Sequence, residues 1–276
     1  MNETHNHNIH RSTQSHDGIG QYEHLHGHHL EDQINVKPIW SFQNEQPIAG
    51  RTERLFIQLN DEAGNRIDTL QVSHEKLLHM IVVSKDLSYF DHVHPEYEGH
   101  GRFHVDIQFP DGGEYKLIAD FVMEDSVPVL TSKWVVVKGE VNTEKPLKVD
   151  TELTKVVNDK LISLSFDKLK QGHEVTLTFT ILDSNTKQPI IDLQPYLGAI
   201  GHVVALSEGA QHYLNIHPIN ETTNGPEAKF KTTFPASGLY KVWGQFLHHG
   251  ILLTVPFTIQ VPHSQQHHEE TSGELH

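Results

Sequence analysis

Two stretches of this chain carry histidines at one repeated spacing. The first opens with His79 and closes with His92, His94 and Pro95, and the second opens with His202 and closes with His217 and Pro218. In each, a histidine precedes an apolar run and another stands before a proline at the same separation. A common core explains repeated valines and leucines, but it does not require a repeated pair of imidazoles. Neutral imidazole ligates zinc, copper and nickel. The spacing therefore points to transition-metal chemistry.

Each stretch reads as a β-hairpin. A loop centred on Asp86 and Leu87 sets His79 opposite His94 and Ile81 opposite His92. A loop centred on Gly209 and Ala210 sets His202 opposite His217, and Gly209 suits the first position of a type II′ turn. Directly opposed side chains have Cβ atoms roughly 5 Å apart, so two imidazoles converge on one ion. A slip of one residue would put them on opposite faces. The apolar neighbours Ile81, Val83, Val204 and Leu206 suggest that this face looks into the sandwich, with the histidines near its mouth.

The candidate ligands are His79, His92 and His94 in the first repeat and His202 and His217 in the second, where Asn215 stands in place of His92. Asp120, aligned with Gln245, is either a ligand, a group that orients a ligand, or a loop cap. His74 and His104 are expected at the surface. His248 and His249 either reach the second site or sit in an exposed turn. The competing structural reading is plain: a histidine before proline is often a polar residue at a strand end, and opposed histidines can hydrogen-bond to loops.

Three matching blocks in one order indicate an internal duplication. Gly50–Asp61 resembles Gly172–Asp183, the two histidine stretches follow, and Phe109–Phe121 matches Phe234–Phe246. Alternation over Leu55–Leu59, Phe103–Phe109 and Val175–Ile181 reads as strand. The expected fold is all-β: two tandem immunoglobulin-like β-sandwich domains, at 35–140 and 147–262, joined near Gly139–Pro146. Tails at 1–34 and 263–276, rich in histidine and poor in apolar residues, are expected to be disordered and to bind Ni²⁺, Cu²⁺ or Zn²⁺ loosely.

The 276 residues carry a formal charge of -15 and no cysteine. That composition speaks against broad electrostatic binding of nucleic acid or anionic membrane, and it excludes thiolate sites and disulfides. No apolar run is long enough to insert into a membrane, and no signal peptide is recognisable, so a cytoplasmic location is expected. Gly-x-Ser-x-Gly, His-Glu-x-x-His, phosphate-loop and dinucleotide motifs are absent, as is a credible carboxylate pair. Glu96 follows His94 too early for a cupin pattern. The chain is not expected to be an enzyme.

The His79–Pro95 and Phe109–Phe121 blocks resemble a family of bacterial proteins, many exported, described as heavy-metal-associated or YtkA-like (FixH-type) immunoglobulin-like domains. The resemblance spans most of residues 45–261. It implies a β-sandwich linked to metal, copper first, without a defined reaction, and it places His79, His94, Asp120, His202 and His217 on the repeated pattern. The expectation is a buffer, carrier or resistance factor for copper, then zinc or nickel. Its partners would be metal ions and a metal-transport or metal-resistance protein. The alternative is a non-catalytic interaction or structural module.

Overall fold

The computed structural model describes residues 36–124 and 128–264, together with the backbone of His28–His29. Among them the regular elements are all strands, apart from one short 3-10 turn at Glu208–Ala210. β1 (His28–His29) precedes the repeats, and the first repeat contains β2 (Ile39–Phe42), β3 (Thr52–Gln58), β4 (Leu70–Gln71), β5 (Leu78–Ser84), β6 (Phe90–Val93), β7 (Glu96–Gly99), β8 (Arg102–Gln108), β9 (Gly113–Met123) and β10 (Pro128–Val137). The second contains β11 (Thr154–Val157), β12 (Lys160–Phe166), β13 (Glu174–Asp183), β14 (His202–Ser207), β15 (His212–Pro218), β16 (Glu227–Thr233), β17 (Gly238–His248) and β18 (Ile251–Val261).

Each repeat is a pair of antiparallel sheets. In the first, β2-β3-β8-β7 faces β10-β9-β5-β6, with β4 beside β9. In the second, β11-β12-β13-β16 is joined to β15-β14-β17-β18 by a short pairing of His217 with Lys231 and Pro218 with Phe230. β1 pairs with the β15 backbone at His212 and Tyr213. Apart from His263 and Ser264, the rest of the histidine-rich tails lies outside the described residues.

The strand period of two sorts side chains between two destinations. Leu78, Met80 and Val82 enter the core of the first sandwich with Leu55, Ile57, Phe103 and Phe121. Val203 and Ala205 do the same in the second, with Phe179, Phe230 and Phe246. The alternate residues Ile81, Val83 and Ile118 meet Val204, Leu206, Tyr213 and Trp243 in a third apolar cluster between the repeats. Phe90 stacks on Trp243 with ring centroids 4.6 Å apart. Lys116 Nζ donates to the Ala210 carbonyl at 2.6 Å.

This corrects the expected orientation. The face bearing His79, Ile81 and Val83 looks at the other repeat, not into its own sandwich. β5 is buried on both sides along nearly its whole length, so its unbroken apolar run does not distinguish the two faces. The loop of the second hairpin also differs from expectation. Gly209 and Ala210 both have positive φ (72° and 53°), whereas a type II′ turn needs it only at the first.

Candidate metal centre

The hairpin pairing sets up the site. Ile81 lies opposite His92 and Val204 opposite Asn215. That register carries His79 towards His94 and His202 towards His217 at the ends of the two hairpins. Because the two sheets face one another, both ends arrive at the same place. His79 packs against His92, His94 and His202, with ring centroids 5.4, 5.1 and 5.9 Å away. The histidines of the two repeats thus lie side by side in one cluster.

One ring nitrogen from each of His79, His92 and His94 lies within 4.8 Å of the others. His79 Nδ1 and His92 Nε2 are 3.3 Å apart. Two ligands of one tetrahedral ion with bonds of about 2.05 Å would be separated by about 3.3 Å. The surrounding hydrogen bonds assign the tautomers. His79 Nε2–H donates to the Ser73 carbonyl at 2.9 Å, leaving the lone pair on Nδ1. Gln245 Nε2 donates to Thr254 Oγ1. Its Oε1 therefore accepts from His92 Nδ1–H at 2.8 Å, leaving the His92 lone pair on Nε2. The two lone pairs face each other. Nε2 of His94 and of His202 are buried, and neither has a hydrogen-bond partner among the described residues.

The centre is held neutral. Burial lowers the pKa of His79 to about 4, His94 to about 3 and His202 to about 2. His74 and His92 are lowered for the same reason. At neutral pH these rings keep the lone pairs that ligation requires.

His74 was expected at the surface, but it is half-buried in this centre. Its ring lies 4.8 Å from that of His202 and 5.8 Å from that of His217. It gets there through a tight turn closed by Ser73 and Lys76, in which His74 and Glu75 both take positive φ (46° and 65°). The second repeat builds the same turn with Leu197 and Gly198. The sequence signal was available in that alignment, but only contact between the repeats gives it meaning. His104 is also less exposed than expected, and its Nδ1 lies 3.0 Å from a Glu98 carboxylate oxygen.

Asp120 pairs with His79 across β5 and β9, yet its carboxylate turns to the second repeat. Oδ2 accepts from Asn215 Nδ2 at 3.0 Å and from Tyr213 OH at 3.4 Å. Burial raises its pKa to about 6. It sits within a strand, so it is not a loop cap, and the geometry does not gather it with the three histidines. Two contacts between the repeats mirror each other. His92 meets Gln245, the counterpart of Asp120, while Asn215, the counterpart of His92, meets Asp120. Such reciprocity is the mark of a two-fold, self-complementary interface, built here within one chain. Gly201 allows the close approach beside His202, since a Cβ there would lie 2.6 Å from the Gln245 carbonyl oxygen.

His248 and His249 do not join this centre. Their Nε2 atoms each lie 3.1 Å from Asp192, in a largely exposed group with carboxylate and imidazole contacts.

Fold and topology define a tandem β-sandwich protein of immunoglobulin-like type. The chain belongs to the family described as a domain of unknown function, DUF8832, whose model matches residues 37–139 and 155–263. Among solved structures it is similar to the Escherichia coli adhesin FdeC, at 15% identity over 80% of this chain and 63% of that one, with a TM-score of 0.28. It is also similar to the fibronectin(III)-like modules of Clostridium thermocellum CbhA, at 13% identity over 83% of this chain and 99% of that one, with a TM-score of 0.23. A third is the D0-D1 domain of intimin, at 13% identity over 80% and 96%, with a TM-score of 0.23. The chain thus spans less than two thirds of the FdeC chain. No curated protein matches it.

Proposed function

We propose that this chain binds a transition-metal ion at the junction of its two repeats and serves as a buffer, carrier or resistance factor rather than as an enzyme. His79, His92 and His94 are the ligands, and His202 faces them from the second repeat. The observation that carries this reading is the 3.3 Å approach of two imidazole nitrogens whose protons are both committed elsewhere. Two lone pairs held face to face repel unless a cation lies between them.

An all-imidazole set without thiolate suits copper, zinc and nickel, and copper stands highest in the affinity order of divalent ions. The resemblance to YtkA-like domains supports the same chemistry. A metal-transport or metal-resistance protein is the partner class this role implies. Asp120 is assigned to the interface and not to the ion. The other reading, an interaction module with structural histidines, draws on the apolar cluster that joins the repeats.

A competition titration distinguishes them. The full chain and its His79→Ala/His94→Ala variant carry identical tails, so the difference between them reports on the centre alone. Loss of one tight copper or zinc equivalent, with the β-sheet circular dichroism retained, supports the metal reading. Equal tight binding by both proteins overturns it.

A further inference from the structure

We propose that the centre takes a second transition-metal ion, between His74, His202 and His217. This rests on the metal reading above and extends it from one ion to two. The second repeat supplies His202 and His217, the counterparts of His79 and His94. Its third position is Asn215, and that side chain is engaged with Asp120. A third imidazole instead crosses from the first repeat. His74 lies edge-on to His202 with centroids 4.8 Å apart, and it stacks on His217 at 5.8 Å with 22° between the rings.

Three further observations favour a ligand here. His202 is 5% exposed, and its buried Nε2 has no hydrogen-bond partner among the described residues. His74 is placed by a turn in which it and Glu75 both take positive φ, a conformation unfavourable for a residue that carries a Cβ. Such strain collects where a side chain must be aimed. The counterpart of His74 is Leu197, so the imidazole occurs on one side only, the side from which it can reach His202. A turn of the exposed His217 ring would close the group around an ion. The outer position adjoins the inner one, with His202 5.9 Å from His79 and 5.7 Å from His92 between ring centroids. Neighbouring ions repel, so monovalent copper is the favoured pair, while divalent ions would need a hydroxide from solvent between them.

The outer ion would be bound by both repeats, and the inner by the first alone. The test uses the full chain, equilibrated with Cu⁺ under reductant and without oxygen and dialysed against a weak chelator, with retained copper counted by mass spectrometry. Wild type is compared with His74→Ala/His217→Ala, with His79→Ala/His94→Ala, and with the fourfold variant. The tails are common to all and cancel in the differences. The expected losses are one, one and two ions per chain. If the outer variant loses none while the inner variant loses one, the second position is overturned and the single-ion reading stands. If neither loses an ion, both fall. His74→Gln/His217→Gln repeats the measurement should the alanine variant fail to fold.

Discussion

Acidification of the metal-free protein should loosen the junction of the repeats before it affects either sandwich core. His79 and His202 are each only 5% exposed. Burial takes their pKa values from 6.5 to about 4 and about 2. A folded-state pKa below the unfolded value means that stability is complete above pH 6.5 and falls as pH drops towards the folded value. At pH 5 the unfolded state gains about 2 kcal/mol per histidine by protonation, or about 4 kcal/mol for the two. His94 adds less, because its ring is more open to solvent. Asp120 acts in the opposite direction. Its folded pKa is raised from 3.8 to about 6, so its protonation returns about 1 kcal/mol at pH 5. The net loss between pH 7.5 and pH 5 is therefore about 2–3 kcal/mol, a large share of the ~5–15 kcal/mol that holds a typical domain folded. Urea denaturation at the two pH values measures it, followed by tryptophan fluorescence and circular dichroism. His79→Gln/His202→Gln should flatten the profile. An equal pH-dependent loss in wild type and variant would refute the assignment of that loss to these buried imidazoles.

Asp120→Asn keeps both acceptor contacts to Tyr213 and Asn215 while removing a buried charge, so it should gain about 2 kcal/mol at pH 7.5 and nothing near pH 4. A loss at pH 7.5, together with weaker metal binding, would make Asp120 a ligand after all. Glu75→Gly relieves a positive φ at the position where the second repeat has Gly198, and it should raise stability by about 0.5–1 kcal/mol; thermal denaturation showing no gain would remove the argument for strain. Gly201→Ala would drive a Cβ against the Gln245 carbonyl. It should cost about 1–3 kcal/mol and shift His202, and a variant with wild-type melting and metal affinity would contradict that close approach.

The hairpin register was legible because alternation and loop length jointly fix it. Ile81 stands opposite His92, as the Asp86–Leu87 loop requires. The two sandwiches were legible from the duplicated Phe-Pro blocks, whose phenylalanines Phe109 and Phe234 are fully buried. The direction of the histidine face was not. Met80 and Ile81 are equally apolar, and only the presence of a second sheet decides that Ile81 meets Trp243 rather than Phe121. The same missing contact hid His74, whose neighbours His202 and His217 come from the other repeat. It also hid the partners of Asp120, which lie across the junction on β15. Sequence periodicity reports burial within an element; it carries no information about which distant element covers it.

The most direct test is anomalous diffraction at the zinc edge from crystals of the full chain soaked in Zn²⁺. The account expects a peak between His79 Nδ1, His92 Nε2 and the His94 ring, at bonding distance from each. A well-ordered centre without a peak there, in crystals whose zinc sits only on Asp192, His248 and His249 or along the tails, would contradict it.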